Sequence, residues 1–126
     1  LVFESFAFKH GVPLDADFVF DARFLPNPFY DPQLRPLSGR DAEVVAFLER
    51  ETEAMLFMED ILRLVERWLP KFTLDRRAAV TLAVGCTGGR HRSVAIAEHL
   101  AGVFRDRDQY FVEVAHRDVD RLPRTK

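Results

Sequence analysis

The stretch from Val80 to Ser93, VTLAVGCTGGRHRS, constrains the fold of this chain more than any other. Its first five residues are apolar or β-branched, the composition of a short buried strand. At Gly85 the run passes into small residues and then into a helix-compatible stretch. Strand, glycine turn and helix start together favour an anion. Gly85, Gly88 and Gly89 let the backbone turn sharply and approach a ligand, the helix start supplies the positive end of its dipole, and Arg90, His91 and Arg92 add side-chain donors. Phosphate, sulfate or a phosphorylated metabolite is the expected guest.

The same loop holds the chain's only cysteine, and Cys86-Thr87-Gly88-Gly89-Arg90-His91-Arg92-Ser93 has the C-x5-R-S spacing of cysteine-dependent phosphatases. In such a loop a thiolate attacks phosphorus, its pKa depressed by the helix N-terminus and Arg92. The arginine fork grips the phosphoryl oxygens, and Ser93 assists the leaving thiolate. The opposing reading makes Cys86 a small buried hydrophobe at a strand end. No aspartate loop stands out as a general acid, so catalysis is not the expectation for Cys86.

The rest of the chain reads as one α/β domain over residues 1–126, with a mixed or mostly parallel sheet of about four to five strands flanked by helices. Val2 to Lys9 alternates as a half-buried strand, and Asp17 to Phe24 repeats the pattern. Phe18 and Phe20 then share one face, and Val19, Asp21 and Arg23 the other. Three prolines between Leu25 and Pro32, with Pro36 beyond, make a stiff loop that exposes Asn27 and Arg35. From Asp41 the period becomes helical up to Arg50. Thr52 reads as the cap of a second helix, which runs through Met55, Met58, Ile61, Leu62, Val65, Trp68 and Leu69 and closes at Pro70. Asp75-Arg76-Arg77 reads as a solvated turn, His91 to Phe104 as a third helix, and Tyr110 to Val114 as a last strand. Strand, loop, helix and strand make a right-handed βαβ unit. Ligands of open α/β sheets lie at the strands' carboxyl ends, which brings together Cys86 to Ser93, Asp21 with Arg23, and His116 with Arg117.

Composition narrows the partners. A single cysteine excludes an intrachain disulfide and fits a reducing, cytoplasmic setting. No apolar run approaches the roughly 18 residues of a membrane span. The chain begins at Leu1-Val2-Phe3, already strand-like, as a piece of a longer protein would. Net charge is −2, so any nucleic-acid contact depends on a local basic patch. Lys9, Arg35, Arg50, Arg90 and Arg92 are the cations able to share one rim, while the tail from His116 to Lys126 is only mildly basic and its end reads as solvated.

Val2 to Pro28, Leu34 to Asp41, Gly85 to Ser93 and the His116-Arg117-Asp118 triplet together resemble the RapZ C-terminal domain family, also described as YvcJ-type nucleotide-binding proteins. The resemblance covers essentially the whole chain. It implies an RNase adapter role: metabolite sensing, binding of glucosamine-6-phosphate and small regulatory RNA, and homo-oligomerisation. No enzymatic activity and no cofactor are implied here, because the family's nucleotide site lies in an N-terminal domain outside this sequence. The implied ligand residues are Asp21, Arg23, Asn27, Cys86, Thr87, Gly88, Gly89, His91, Arg92 and Ser93. The implied RNA residues are Lys9, Arg35, Arg50, Arg90, Arg92, His116 and Arg117. A tail with two aspartates departs from the denser Lys/Arg tail of RNA-binding relatives. A cysteine-dependent phosphatase and a purely structural oligomerisation domain stand as alternatives.

Overall fold

The structure is a computed structural model that describes residues 1–74, 79–107 and 109–121. Strands β1 (Val2–Ala7), β2 (Phe18–Asp21), β3 (Thr81–Cys86) and β4 (Glu113–His116) form one sheet in the order β2-β3-β1-β4. Every neighbouring pair is parallel and four strands form the sheet among the described residues, within the mostly parallel sheet of four to five strands expected from the sequence. Helices α1 (Ala42–Glu49), α2 (Thr52–Leu74) and α3 (Arg92–Asp106) complete the domain. β3 and β4 are parallel as the βαβ reading requires, but β1 lies between them.

Register partners in a parallel sheet share a face, which assigns the sides directly. Phe18, Leu82, Phe3 and Val114 form one row, and Phe20, Val84, Ser5 and His116 the next. This face joins a single core with buried residues of all three helices, among them Leu48, Met58, Ile61, Val65, Leu69, Ile96, Leu100 and Phe104. Phe3 meets Phe104 at 5.6 Å between ring centroids. Burying each such side chain stabilises the fold by about 1.5 to 3 kcal/mol.

Several sequence boundaries move, each for a visible cause. β1 is buried on both faces because it is a central strand, with Phe3, Ser5, Phe6 and Ala7 all at 0% exposure, so its polar positions do not mark a solvated side. It ends at Ala7, and Lys9 belongs to a short 3-10 turn, Phe8–His10. α2 runs through Pro70 to Leu74. Proline costs a helix one amide bond and a steric clash, and here the Phe72 ring, 4.9 Å from that of Phe18, holds the last turn in place. Thr52 is the first helical residue and not the cap, since the Glu51 carbonyl already accepts from Met55 N–H at 3.2 Å. The last strand begins at Glu113, not Tyr110. Tyr110 turns inward onto Phe104, at 6.2 Å, and pairing starts where Glu113 N–H donates to Leu1 O at 2.9 Å. The expected turn at Asp75 to Arg77 and the tail from Arg124 to Lys126 lie outside the described residues. No helix among the described residues is long and apolar enough to cross a membrane.

Candidate functional site

All four strands point their carboxyl ends at one edge, where β3 hands over to α3 through Thr87 to His91. Gly89 takes φ +67°, a left-handed conformation that glycine adopts freely. It also rests on the end of β1: a Cβ at Gly89 would lie 2.8 Å from both the Ala7 nitrogen and its Cβ. Gly85 is needed for space, since a Cβ there would stand 2.4 Å from the Phe6 ring and 2.6 Å from that of Phe8. Gly88 has nothing within 4 Å and faces open solvent with Thr87.

Arg90, His91 and Arg92 do not all project donors into the loop. Three consecutive residues are instead tethers to the proline loop. Arg90 donates from Nε to Leu37 O at 2.9 Å and from Nη2 to Pro36 O at 2.6 Å. His91, 5% exposed, donates from Nε2 to Leu34 O at 3.0 Å. Burial holds its pKa below the ordinary histidine value, offset only in part by backbone carbonyls. Arg92 is 3% exposed, and its Nη1 donates to Arg23 O at 2.8 Å and to Leu25 O at 2.9 Å. Its Nε, also buried, has no hydrogen-bond partner. A buried guanidinium donor left unpaired is costly. The Nε edge is therefore the part of Arg92 that its protein partners leave unsatisfied.

Cys86 is 2% exposed. Its thiol donates to Ser93 Oγ at 3.1 Å and accepts Ser93 N–H at 3.5 Å. Both residues thus join the helix start from beneath the loop and offer no open approach. β2 ends at Asp21, so Arg23 lies in the turn beyond it and not on the expected strand face, yet the two meet as an exposed bidentate pair with Nη2 to Oδ2 at 2.7 Å. The hydrogen bond from Arg23 holds the Asp21 carboxyl below its usual range, with a smaller contribution from Arg92. Arg23 also lies over the Phe8 ring at 3.9 Å. Asn27 caps the Pro28–Tyr30 turn by accepting Phe29 N–H at 3.1 Å.

Of the expected rim, Arg35 lies over Phe29 and donates to its carbonyl at 2.8 Å. Arg50 borders a cleft of about 340 Å³ shared with Asp31, Gln33, Leu34, Leu37, Glu43 and Ala46. Arg35, Arg50 and Arg90 thus gather at the proline loop, and Lys9 lies on the 3-10 turn after β1. His116 and Arg117 have inward partners. His116 Nδ1 meets Ser5 Oγ at 2.7 Å and its Nε2 meets Glu98 Oε2 at 2.6 Å. Arg117 Nη2 reaches Gly11 O at 2.7 Å and Asp118 Oδ2 at 2.8 Å. Asp118, 1% exposed, is a buried carboxylate at this edge that the sequence did not reveal, because an aspartate in a mixed-charge tail reads as solvated. Its only outward sign is an arginine on either side, at one and three residues' distance. No group of three His, Cys, Asp or Glu among the described residues is placed to hold a metal ion.

The fold and site define a small, wholly parallel α/β domain whose helix-start loop is bound to a proline loop through three consecutive basic side chains. A family model described as the RapZ C-terminal domain matches residues 1–120, and the chain belongs to that family. It is 56% identical over 120 residues to a nucleotide-binding protein of Methylobacillus flagellatus, covering 95% of this chain and 42% of that protein. It is 58% identical over 119 residues to a nucleotide-binding protein of Thiobacillus denitrificans, covering 94% and 42%. To the RNase adapter protein RapZ of Klebsiella pneumoniae it is 53% identical over 121 residues, covering 96% and 42%. The chain therefore spans about two fifths of the length of these relatives.

Proposed function

We propose that this domain is the metabolite-sensing half of a regulatory adapter, with a sugar-phosphate site at Thr87 to Arg92 and a basic RNA rim at the proline loop. The adapter role follows from relatives named RNase adapter protein RapZ. Glucosamine-6-phosphate is the guest the family resemblance implies. The anion reading is carried by Arg92, whose Nη1 is fixed by two carbonyls while its buried Nε lacks an acceptor. The guanidinium is thereby oriented in advance, beside helix-start amides that favour negative charge. A phosphoryl group supplies the missing acceptor and two oxygens for the fork. Asp21 and Arg23 border the same place, since Arg92 holds the Arg23 carbonyl. They would meet the hydroxyl and amino groups of the sugar.

The RNA reading rests on Arg35, Arg50 and Arg90, with phosphate contacts and recognition by shape. The two guests couple through the proline loop, because Arg92 and Arg90 hold its opposite ends. A phosphatase role finds little support in a Cys86 buried to 2% exposure with its thiol on Ser93.

Calorimetry with glucosamine-6-phosphate, inorganic phosphate and glucosamine tests this reading. The first two bind and glucosamine does not. Arg92→Lys keeps the charge but not the fork, and loss of a charge-assisted bond worth about 1.5 to 3 kcal/mol weakens phosphate binding about tenfold to a hundredfold. Unchanged affinity in Arg92→Lys would put the site elsewhere on the domain, and no heat with any ligand would leave the domain a structural oligomerisation module.

A further inference from the structure

β1 and β4 run as a regular parallel ladder up to Arg117, whose N–H donates to Ser5 O at 3.0 Å. The next donor along β1 is Ala7 N–H, which a continued ladder would give to a β4 backbone carbonyl. It goes instead to a side chain: Asp118 Oδ2 accepts it at 2.7 Å. Asp118 is 1% exposed and is held in turn by Arg117 at 2.8 Å and by Arg121 Nε at 2.8 Å. Arg117 carries the connection on to Gly11 O, at the end of the turn that follows β1. Ala7 is also the residue on which Gly89 rests.

One buried carboxylate therefore closes the end of the ladder, fixes the turn after β1 and sets the seat of the glycine loop. We infer that Asp118 is a positioning residue of the anion site, acting through Ala7 on Gly89 and touching no ligand. The inference rests on the anion reading above and adds the residue that fixes the height of the loop amides. Arg117 belongs to the same device: its charge serves Asp118 and the Gly11 carbonyl.

The test uses inorganic phosphate and glucosamine-6-phosphate in calorimetry on the parent chain, Asp118→Ala, Asp118→Asn and Arg92→Lys, each well below its own melting temperature. Asp118→Ala frees the Ala7 amide and weakens both ligands about threefold to tenfold, the span of one hydrogen bond. Asp118→Asn keeps an acceptor for that amide and recovers most of the loss, which a defect of general stability would not do. Amide spectra of the parent supply a reading that needs no variant: phosphate should shift Ala7 N–H together with Gly88 and Gly89. Full affinity in Asp118→Ala while Arg92→Lys binds weakly would overturn the positioning role and leave the site intact. An Ala7 amide indifferent to phosphate that shifts Gly88 and Gly89 would do the same. If phosphate binds nowhere in the parent, the site reading falls first and Asp118 with it.

Discussion

Replacing Gly89 with alanine is the sharpest test of how the loop is built. At φ +67° an L residue carries a left-handed penalty of about 1 to 2 kcal/mol. The added Cβ would also lie 2.8 Å from the Ala7 nitrogen and Cβ and 3.1 Å from its Cα. Those atoms belong to a central strand and cannot swing aside, so the loop must lift, at an overpacking cost of about 1 to 3 kcal/mol. Together the two effects reach about 2 to 5 kcal/mol, a large share of the about 5 to 15 kcal/mol that holds a typical domain. For a domain of this size that lowers the melting temperature by about 6 to 20 °C. Gly88→Ala is the matched control, since nothing lies within 4 Å of its Cβ; it should change stability by less than about 0.5 kcal/mol. Calorimetric melts of both variants, followed by phosphate titration, decide the matter. Equal melting temperatures would refute the seating of Gly89 on Ala7.

Cys86→Ser should leave phosphate affinity nearly intact and no phosphomonoester turnover should be measurable before or after; turnover in the parent abolished by this change would restore the thiolate mechanism. Burial by itself would raise the Asp118 pKa, but hydrogen bonds from Arg117 and Ala7 outweigh it and the folded-state value is depressed. Its contribution is therefore present above the unfolded value, about 3.9, and fades as pH falls through the folded value. Asp118→Asn should accordingly melt lower than the parent at pH 7, and the gap should close in acid; a gap constant down to pH 3 would count against it. RNA binding measured by gel shift should fall steeply with salt, and glucosamine-6-phosphate should displace a stem-loop RNA; RNA binding indifferent to the sugar phosphate would exclude coupling within this domain.

The parallel core was legible because its signals are local. Val80 to Val84 is a β-branched run closed by glycine, and the α3 stripe repeats Val94, Ala97, Leu100, Ala101 and Phe104, all buried. What failed were boundaries set by distant partners. Proline propensity ended α2 at Pro70, whereas contact with Phe18, some fifty residues earlier, carried it on to Leu74. The site divides in the same way. The C-x5-R spacing locates Arg92 at the first turn of α3 because a strand, a tight turn and a helix start fix that arginine's place within one segment. Nothing local could tell that Arg90 and His91 would be taken up by carbonyls of a proline loop more than fifty residues away. Asp118 was missed because a charge tally treats a carboxylate beside arginines as surface neutralisation, and only pairing with β1 buries it.

The tethers explain why a rigid proline loop suits the proposed anion site. Leu34, Pro36 and Leu37 offer carbonyls to Arg90 and His91, Arg23 and Leu25 to Arg92, and Gly39 N–H returns a bond to Arg90 O at 2.9 Å. Gly39 has no room for a Cβ, which would fall 2.3 Å from the Ala95 nitrogen, so the loop lies hard against the first turn of α3. A flexible loop would lose much of its freedom on being held this way, whereas four prolines between Pro26 and Pro36 have already removed it. On the reading proposed above, an oxyanion at the Nε edge of Arg92 would pull on a group whose other edge holds Arg23 and Leu25. The stiff segment would then carry that pull toward Arg35 and Arg90. Sensing and RNA contact can thus be coupled here by one shared, prestiffened loop, and any change that softens it, such as Pro28→Ala or Pro36→Ala, should weaken the coupling more than it weakens either guest alone.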